Sequence, residues 1–118
     1  MPDVPWPDPQ QRLENFIRDY LPRIVEQYAP TEVWVWGSMA SGDPDDHSDL
    51  DLIIVSDHLD GGGPAERAIR LDGDMGIGDG IEDLGPVDLL CYTPEEFERQ
   101  RSRITIVAEG IRKGKRLL

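Results

Sequence analysis

Two short hydrophobic segments constrain the fold more than any other feature: one ends at a Gly-Ser pair, and the other begins at an Asp-x-Asp motif. Residues 33–36 (VWVW) are β-branched and aromatic, which predicts a buried strand, and they run directly into Gly37 and Ser38. After ten further residues, Asp49 and Asp51 open a second hydrophobic segment, LDLIIV. Because side chains alternate along a strand, we expect both carboxylates to lie on one face, at the solvent edge of the core.

Helical signals surround these strands. Residues 10–28 carry apolar side chains at spacings of three and four, which predicts an amphipathic helix, and Pro22 predicts a kink or break near Tyr20. Pro64 predicts the start of a short helix. Thr93 predicts a helix cap, because Pro and Glu follow it at the positions of a capping box.

The remaining segments complete the expected architecture. We expect an extended arm over residues 1–9, a glycine- and acid-rich loop over 72–86, a third strand over 87–92, and helices to about 101 and from about 103 to 110. This order predicts an α/β (α+β) fold with a small mixed β-sheet flanked by helices, formed by one domain over residues 10–118.

The composition narrows the classes of function. The net charge of -12 repels nucleic-acid phosphates, so we expect no broad nucleic-acid binding. No apolar run reaches the length of a membrane span, and the N-terminus lacks the pattern of a secretory signal. With Cys91 as its one cysteine, the chain fits a reducing cytoplasm. A hydrophobic fraction of 38% predicts a thin core, which leaves room for a partner subunit or a homo-oligomer.

Asp49, Asp51 and Asp88 have the chemistry of metal ligands. Asp88 is the second residue of the third predicted strand, so it joins the other two if the strands are neighbours. Clustered carboxylates repel one another, and Mg²⁺, which prefers hard oxygen ligands, removes that repulsion. Gly37 allows the backbone to approach a ligand closely, and Ser38 adds a hydroxyl, as phosphate binding requires.

The Asp-x-Asp motif is weak evidence by itself. The chain has 15 Asp, and three such triplets occur, at Asp43, Asp49 and Asp72. Only the triplet at Asp49 opens a hydrophobic strand. The specific signal is therefore the combination of strand, Gly-Ser, ten residues, Asp-x-Asp, strand, and a later strand with Asp88.

The segment VWVWGSMASGDPDDHSDLDLIIVSD resembles the signature of the polymerase-beta-type nucleotidyltransferase superfamily, in its minimal branch. The ten-residue spacing is typical of that branch, and PVDLLCYTPEEFE is similar to the strand and helix of the family's third carboxylate. The resemblance implies that Gly37 and Ser38 bind a nucleoside triphosphate. It also implies that Asp49, Asp51 and Asp88 hold two Mg²⁺ ions, and that Asp88 helps to deprotonate the acceptor hydroxyl.

The resemblance also implies a partner. Nothing in the sequence resembles a separate acceptor-binding domain, and members of the minimal branch are often encoded beside a small helical HEPN toxin, as antitoxins that add AMP to it. We therefore expect transfer of AMP from ATP, or of another nucleoside monophosphate, to a hydroxyl of such a toxin. Met39 stands where the family often has a basic residue, which keeps open an inactive antitoxin module of the same fold. A small-molecule adenylyltransferase is a more remote alternative.

Several residues also have simpler interpretations. Ser48 is either a loop residue or a phosphate contact, and Cys91 is predicted to be a core residue. Trp34 and Trp36 lie on one face, where the second could line a nucleotide pocket. His47 and His58 are expected in exposed loops, where they make a poor zinc set. The arginines of residues 99–103 form either a solvated helix face or a contact with a partner or phosphate.

Overall fold

The computed structural model describes residues 4–37, 48–59, 61–103 and 114–118, which form a four-stranded sheet with helices on it. The strands are β1 Glu32–Trp36, β2 Leu50–Val55, β3 Val87–Tyr92 and β4 Lys115–Arg116. The helices are α1 Pro9–Asn15, a π-helix Phe16–Tyr20, α2 Leu21–Tyr28, α3 Pro64–Met75, a 3-10 helix Gly78–Gly80, α4 Ile81–Leu84 and α5 Pro94–Arg101.

The sheet is mixed, as the sequence predicts. Its order is β3-β2-β1-β4, with β2 antiparallel to β1 and parallel to β3, and with β1 antiparallel to β4. The parallel pair fits a crossover connection, because α3, the 3-10 helix and α4 lie between β2 and β3 in the chain. β4 has no counterpart in the sequence prediction: its two residues are both exposed and too short to show a pattern.

The two faces of the sheet carry separate hydrophobic clusters. The larger cluster contains Val33, Val35 and the even-numbered residues of β2, together with side chains of α2 and α3. The smaller cluster lies on the opposite face, where Phe97 of α5 packs against Ile53, Val55 and Tyr92. Trp34 and Trp36 pack against this second cluster, which confirms that they share one face. Because Asp51 alternates with Leu50 and Leu52, its side chain lies on the second face.

The first helical segment breaks where Pro22 predicts. The π-helix Phe16–Tyr20 separates α1 from α2, and Pro22 occupies the first turn of α2, where its missing N–H costs no hydrogen bond. The predicted capping box is also confirmed: Thr93 Oγ1 accepts from Glu96 N at 3.2 Å, and Glu96 Oε1 accepts from Thr93 N at 2.8 Å.

The prediction of a loop over residues 72–86 is wrong. α3 continues to Met75, and the 3-10 helix and α4 occupy most of the remainder. The glycines and acids have the composition of a loop, but Met75, Ile77 and Leu84 are buried in the larger cluster and hold the backbone. Burial of these apolar side chains outweighs the local preferences of their polar neighbours.

Some expectations lie outside the described residues. The helix over 103–110 falls there for the most part, as does the helical turn after Ser38. Within the ranges that are described, no helix has the length and apolarity needed to cross a bilayer. The division into an arm and one domain stays a prediction.

Candidate active site

Trp36, Asp51 and Asp88 form a row across three neighbouring strands. Asp51 pairs with Trp36 in the antiparallel ladder and with Asp88 in the parallel ladder. Paired residues of adjacent strands point to the same face, with strands about 4.8 Å apart. The topology therefore brings together two carboxylates that are 37 positions apart in the sequence. Asp51 and Asp88 are called the carboxylate pair below.

The electrostatics of Asp51 reflect this arrangement. Burial, and then the negative charges of Asp88 and Asp49, raise the pKa of the Asp51 carboxyl to about 6. The normal value is 3.8, so the folded protein disfavours the charged form of this side chain. A nearby cation would reverse that effect. A shifted carboxylate beside a second carboxylate is typical of functional sites more than of solvated strand ends.

Gly37 is packed directly against the Asp51 carboxylate. Its φ is +70°, in the left-handed region, and a Cβ atom at this position would overlap Asp51 Oδ2 and lie 3.2 Å from Asp51 Cγ. Glycine is therefore required at this position for two reasons: the backbone conformation and the approach of the carboxylate. The close approach seen here is to the Asp51 side chain, and the predicted contact of Gly37 with a bound triphosphate stays a prediction.

Asp49 and Ser48 lie just before β2. Asp49 is exposed, and it contributes to the raised pKa of Asp51 after Asp88. Ser48 is half-buried, and its carbonyl oxygen accepts a hydrogen bond from Arg12 Nη1 at 2.8 Å. This contact shows Ser48 in a backbone role and leaves its predicted contact with phosphate a prediction.

Arg12 is a positioning residue that the sequence prediction missed. It lies in α1 and is fully buried, and it bonds the carbonyl of Ser48, one residue before Asp49. A Cβ atom at Gly85 would lie 2.7 Å from Arg12 Nη1, so the same guanidinium also packs against the turn that leads into β3. Arg12 thus contacts the starts of both strands that carry the carboxylates. No local pattern marks Arg12, because the other buried residue of α1 is the polar Asn15 and the bond from Arg12 to Ser48 spans 36 residues.

The carboxylates have the right chemistry for a metal but not a complete ligand set. Among the residues that the structure describes, no group of three or more His, Cys, Asp or Glu side chains is arranged to hold a metal ion. The structure brings Asp51 and Asp88 together and keeps Asp49 nearby, short of a three-carboxylate ligand set. Two hard oxygen donors still suit Mg²⁺, which keeps several waters and bridges to substrate phosphates. Ser38 lies outside the described residues.

Comparison with known families identifies the class of domain. The family model described as "Nucleotidyltransferase domain" matches residues 17–113, which include Gly37 and all three carboxylates. This chain belongs to the nucleotidyltransferase domain family. The match covers most of the sequence, and the mixed sheet with its flanking helices agrees with it.

Other comparisons add little to this family assignment. No curated protein is similar in sequence to this nucleotidyltransferase domain at a significant level. One chain from a crystal structure of the toxin-antitoxin MntA-HpeT, in mutant form, is similar with 20% identity and a TM-score of 0.43. That similarity covers 92% of this chain and 71% of the other. The assignment rests on the family model.

The remaining residues that the sequence analysis singled out have structural or surface positions. Cys91 is buried in the larger cluster, which raises the pKa of its thiol to about 12, so its prediction as a core residue is confirmed. His58 is exposed, as predicted, and His47 lies outside the described residues. Arg101 stacks on Trp34 and Phe97, with its guanidinium 5.9 and 5.3 Å from the ring centroids, so part of the arginine cluster covers the second hydrophobic cluster.

Proposed function

We propose that this domain transfers AMP from ATP to a hydroxyl group of a protein partner, in a reaction that depends on Mg²⁺. The observation that carries the proposal is the carboxylate pair: two aligned Asp side chains on adjacent strands, one with its pKa raised to about 6, against the side-chain-free backbone of Gly37. In a nucleotidyltransferase domain, this combination supports a site for phosphoryl chemistry more than a structural role.

Each residue has a distinct part in the proposed reaction. Asp51 and Asp88, with Asp49, would hold Mg²⁺, which supplies positive charge against the triphosphate when bound. Gly37 and Ser38 would hold the triphosphate. Asp88 is exposed, and it would accept the proton of the incoming hydroxyl. The hydroxyl oxygen then bonds to the α-phosphorus, the bond to the bridging oxygen breaks, and pyrophosphate leaves.

The proposed partner is a small helical HEPN-type toxin, which would make this protein its antitoxin. The support for this partner is the resemblance of the Gly-Ser to Asp-x-Asp spacing to the minimal branch of the superfamily. The net charge of -12 is consistent with a partner that presents a basic surface and not with broad binding to nucleic acid. ATP is proposed over other nucleoside triphosphates on the same resemblance. A cytoplasmic location is proposed because Cys91 is the one cysteine of the sequence, which fits a reducing compartment.

A second candidate is an antitoxin that blocks its toxin by contact alone. Met39 favours it, because an uncharged residue directly after Gly-Ser removes a cation that would hold phosphate. In that case the carboxylate pair would be a remnant of an active ancestor and would be dispensable for neutralisation.

The two candidates differ in what ATP does to the partner. The product of a HEPN-type gene adjacent to this one would be incubated with the protein, Mg²⁺ and ATP labelled at either the α- or the γ-phosphate. The proposal predicts that only the α-label transfers, and that Asp49→Asn combined with Asp51→Asn abolishes the transfer. If no label transfers while the two proteins form a complex, and the double variant neutralises the toxin as well as wild type does, the contact-only candidate is correct.

A further inference from the structure

The outer edge of β3 borders an apolar groove that leads to Asp88. The groove has a volume of about 480 Å³, and its floor is residues 87–90. Its opposite wall includes Ile69 of α3 and Ile81 of α4, both unusually exposed for isoleucine, at 72% and 46%. Exposed apolar side chains along a concave surface are typical of a binding groove.

The hydrogen-bond register of β3 turns some of its backbone groups away from β2 and toward this groove. Leu50 N bonds to Pro86 O, and Ser56 N bonds to Tyr92 O, so the even-numbered residues of β3 face β2. The N–H and C=O groups of Val87 and Leu89 therefore point away from β2. Within the described part of the chain, β3 is the end strand of the sheet, and no strand pairs with these groups. Farther along, the carbonyl of Cys91 is already bonded by Arg67, which closes that end of the edge.

An added strand would be placed for chemistry at Asp88. A strand paired with Val87 and Leu89 would lie about 4.8 Å from β3. Its residue opposite Asp88 would point to the same face of the sheet as Asp88, Asp51 and Trp36, because paired residues share a face. The next position in the row of Trp36, Asp51 and Asp88 would thus be a side chain of the ligand.

The charge around the groove selects among extended ligands. Asp72 lines the groove, and Asp79, Glu82 and Asp83 are exposed on the segments that form its wall. None of the described residues that line the groove is Lys or Arg. Like-charged acidic segments would be repelled, so the complementary ligand alternates apolar residues with basic ones.

We infer that the edge of β3 is the docking site for the acceptor, an extended segment of a partner protein with apolar and basic residues around a Tyr, Ser or Thr. The segment adds a strand to the sheet and brings its hydroxyl beside Asp88. Backbone hydrogen bonds supply affinity, and the groove and its acids supply specificity. This inference rests on the proposed function for the chemistry at Asp88, but the docking itself does not.

Binding of a defined peptide separates docking from catalysis. The probe is a nine-residue peptide, Lys-Val-Lys-Val-Tyr-Val-Lys-Val-Lys, with blocked ends, and its acidic counterpart carries Glu in place of Lys. Amide exchange measured by NMR reports on Val87 and Leu89 directly. We expect the basic peptide to slow exchange of these two amides at least about tenfold, and the acidic peptide to have no effect. Unchanged exchange with the basic peptide at millimolar concentration would overturn the docking site.

Two matched variants test the groove. Ile69→Lys places a cation and removes an apolar contact in the groove, whereas Ile17→Lys makes the same change at an exposed isoleucine outside it. We expect Ile69→Lys to weaken peptide binding at least about tenfold and Ile17→Lys to leave it unchanged. Equal binding by both variants would refute the groove.

The same peptide also separates the two proposals. Amide protection without transfer of AMP to the peptide tyrosine would retain the docking site and count against the proposed reaction. Transfer to the tyrosine at equal rates by wild type and Ile69→Lys would retain the reaction and overturn the docking site. A second copy of this chain as the occupant would appear as protection that rises with protein concentration in the absence of peptide, and it would also overturn the proposal.

Discussion

The contact between Gly37 and Asp51 gives the sharpest prediction, because the fold provides a matched control. Gly37 and Gly76 both have φ of +70°, but a Cβ atom at Gly76 would meet nothing within 4 Å, whereas at Gly37 it would overlap Asp51 Oδ2. Gly37→Ala and Gly76→Ala therefore impose the same backbone strain, of about 1–2 kcal/mol. Only the first also displaces the carboxylate.

The two variants should agree in stability and differ in function. The Asp51 side chain can rotate away from a new methyl group, so we expect both variants to lose about 1–2 kcal/mol in urea unfolding. A displacement of the carboxylate by about 1 Å is enough to reduce catalysis about 100-fold, so Gly37→Ala should lose transfer of AMP while Gly76→Ala retains it.

The position of the carboxylate can also be measured without catalysis. Titration of the Asp51 side-chain carbon by NMR should give a pKa near 6 in wild type and Gly76→Ala, and a lower pKa in Gly37→Ala, whose displaced carboxylate is more exposed to water. A Gly37→Ala variant that keeps both the raised pKa and the wild-type rate of transfer would show that the contact with Asp51 has no role in catalysis. Equal loss of activity by the two variants would show the same.

Three further predictions concern the supports of the site. Arg12→Met should lower the free energy of unfolding by about 1.5–3 kcal/mol, because it removes a buried charged donor from the Ser48 carbonyl. The control Arg18→Met breaks an exposed ion pair in the adjacent π-helix and should leave urea unfolding unchanged. Equal stability of the two variants would contradict the role of Arg12. Because the pKa of Asp51 in the folded protein lies above its normal value, the free energy of unfolding without Mg²⁺ should fall as the pH rises from about 4 to about 6. Asp51→Asn should remove most of this pH dependence in urea unfolding. If the variant keeps the pH dependence, other groups cause it. Arg67→Met should lower the melting temperature, because it leaves the Cys91 carbonyl and the half-buried Glu96 without their shared partner. An unchanged melting temperature would show that this ion pair contributes nothing to the stability of the fold.

The sequence predicted the elements that have strong periodic or capping signals. β2, β3 and α5 match their predicted bounds, because each combines an apolar pattern with clear residues at its ends. The break at Pro22 was predictable for the same reason: proline removes a donor and leaves few alternatives. The adjacency of the carboxylate pair was predicted only conditionally, since it depends on β2 and β3 being neighbours.

The remaining features depend on contacts that are distant in sequence. Residues 72–86 are helical in large part because Met75, Ile77 and Leu84 are buried in the larger hydrophobic cluster, which local composition does not reveal. The role of Arg12 depends on a hydrogen bond that spans 36 residues. The outward-facing backbone groups of β3 follow from the order of the described strands, and a sequence pattern alone does not specify strand order.

The central claim is that the carboxylate pair performs nucleotidyl transfer, and Asp88→Asn tests it most directly. Asp88 is exposed, so replacing one oxygen with nitrogen should leave the fold intact. The measurement is the intact mass of the partner protein after incubation with Mg²⁺, ATP and either wild type or the variant. We expect the wild type to add the mass of one AMP and Asp88→Asn to add none within the same time. Equal addition by both proteins, or none by the wild type within a formed complex, would contradict the claim.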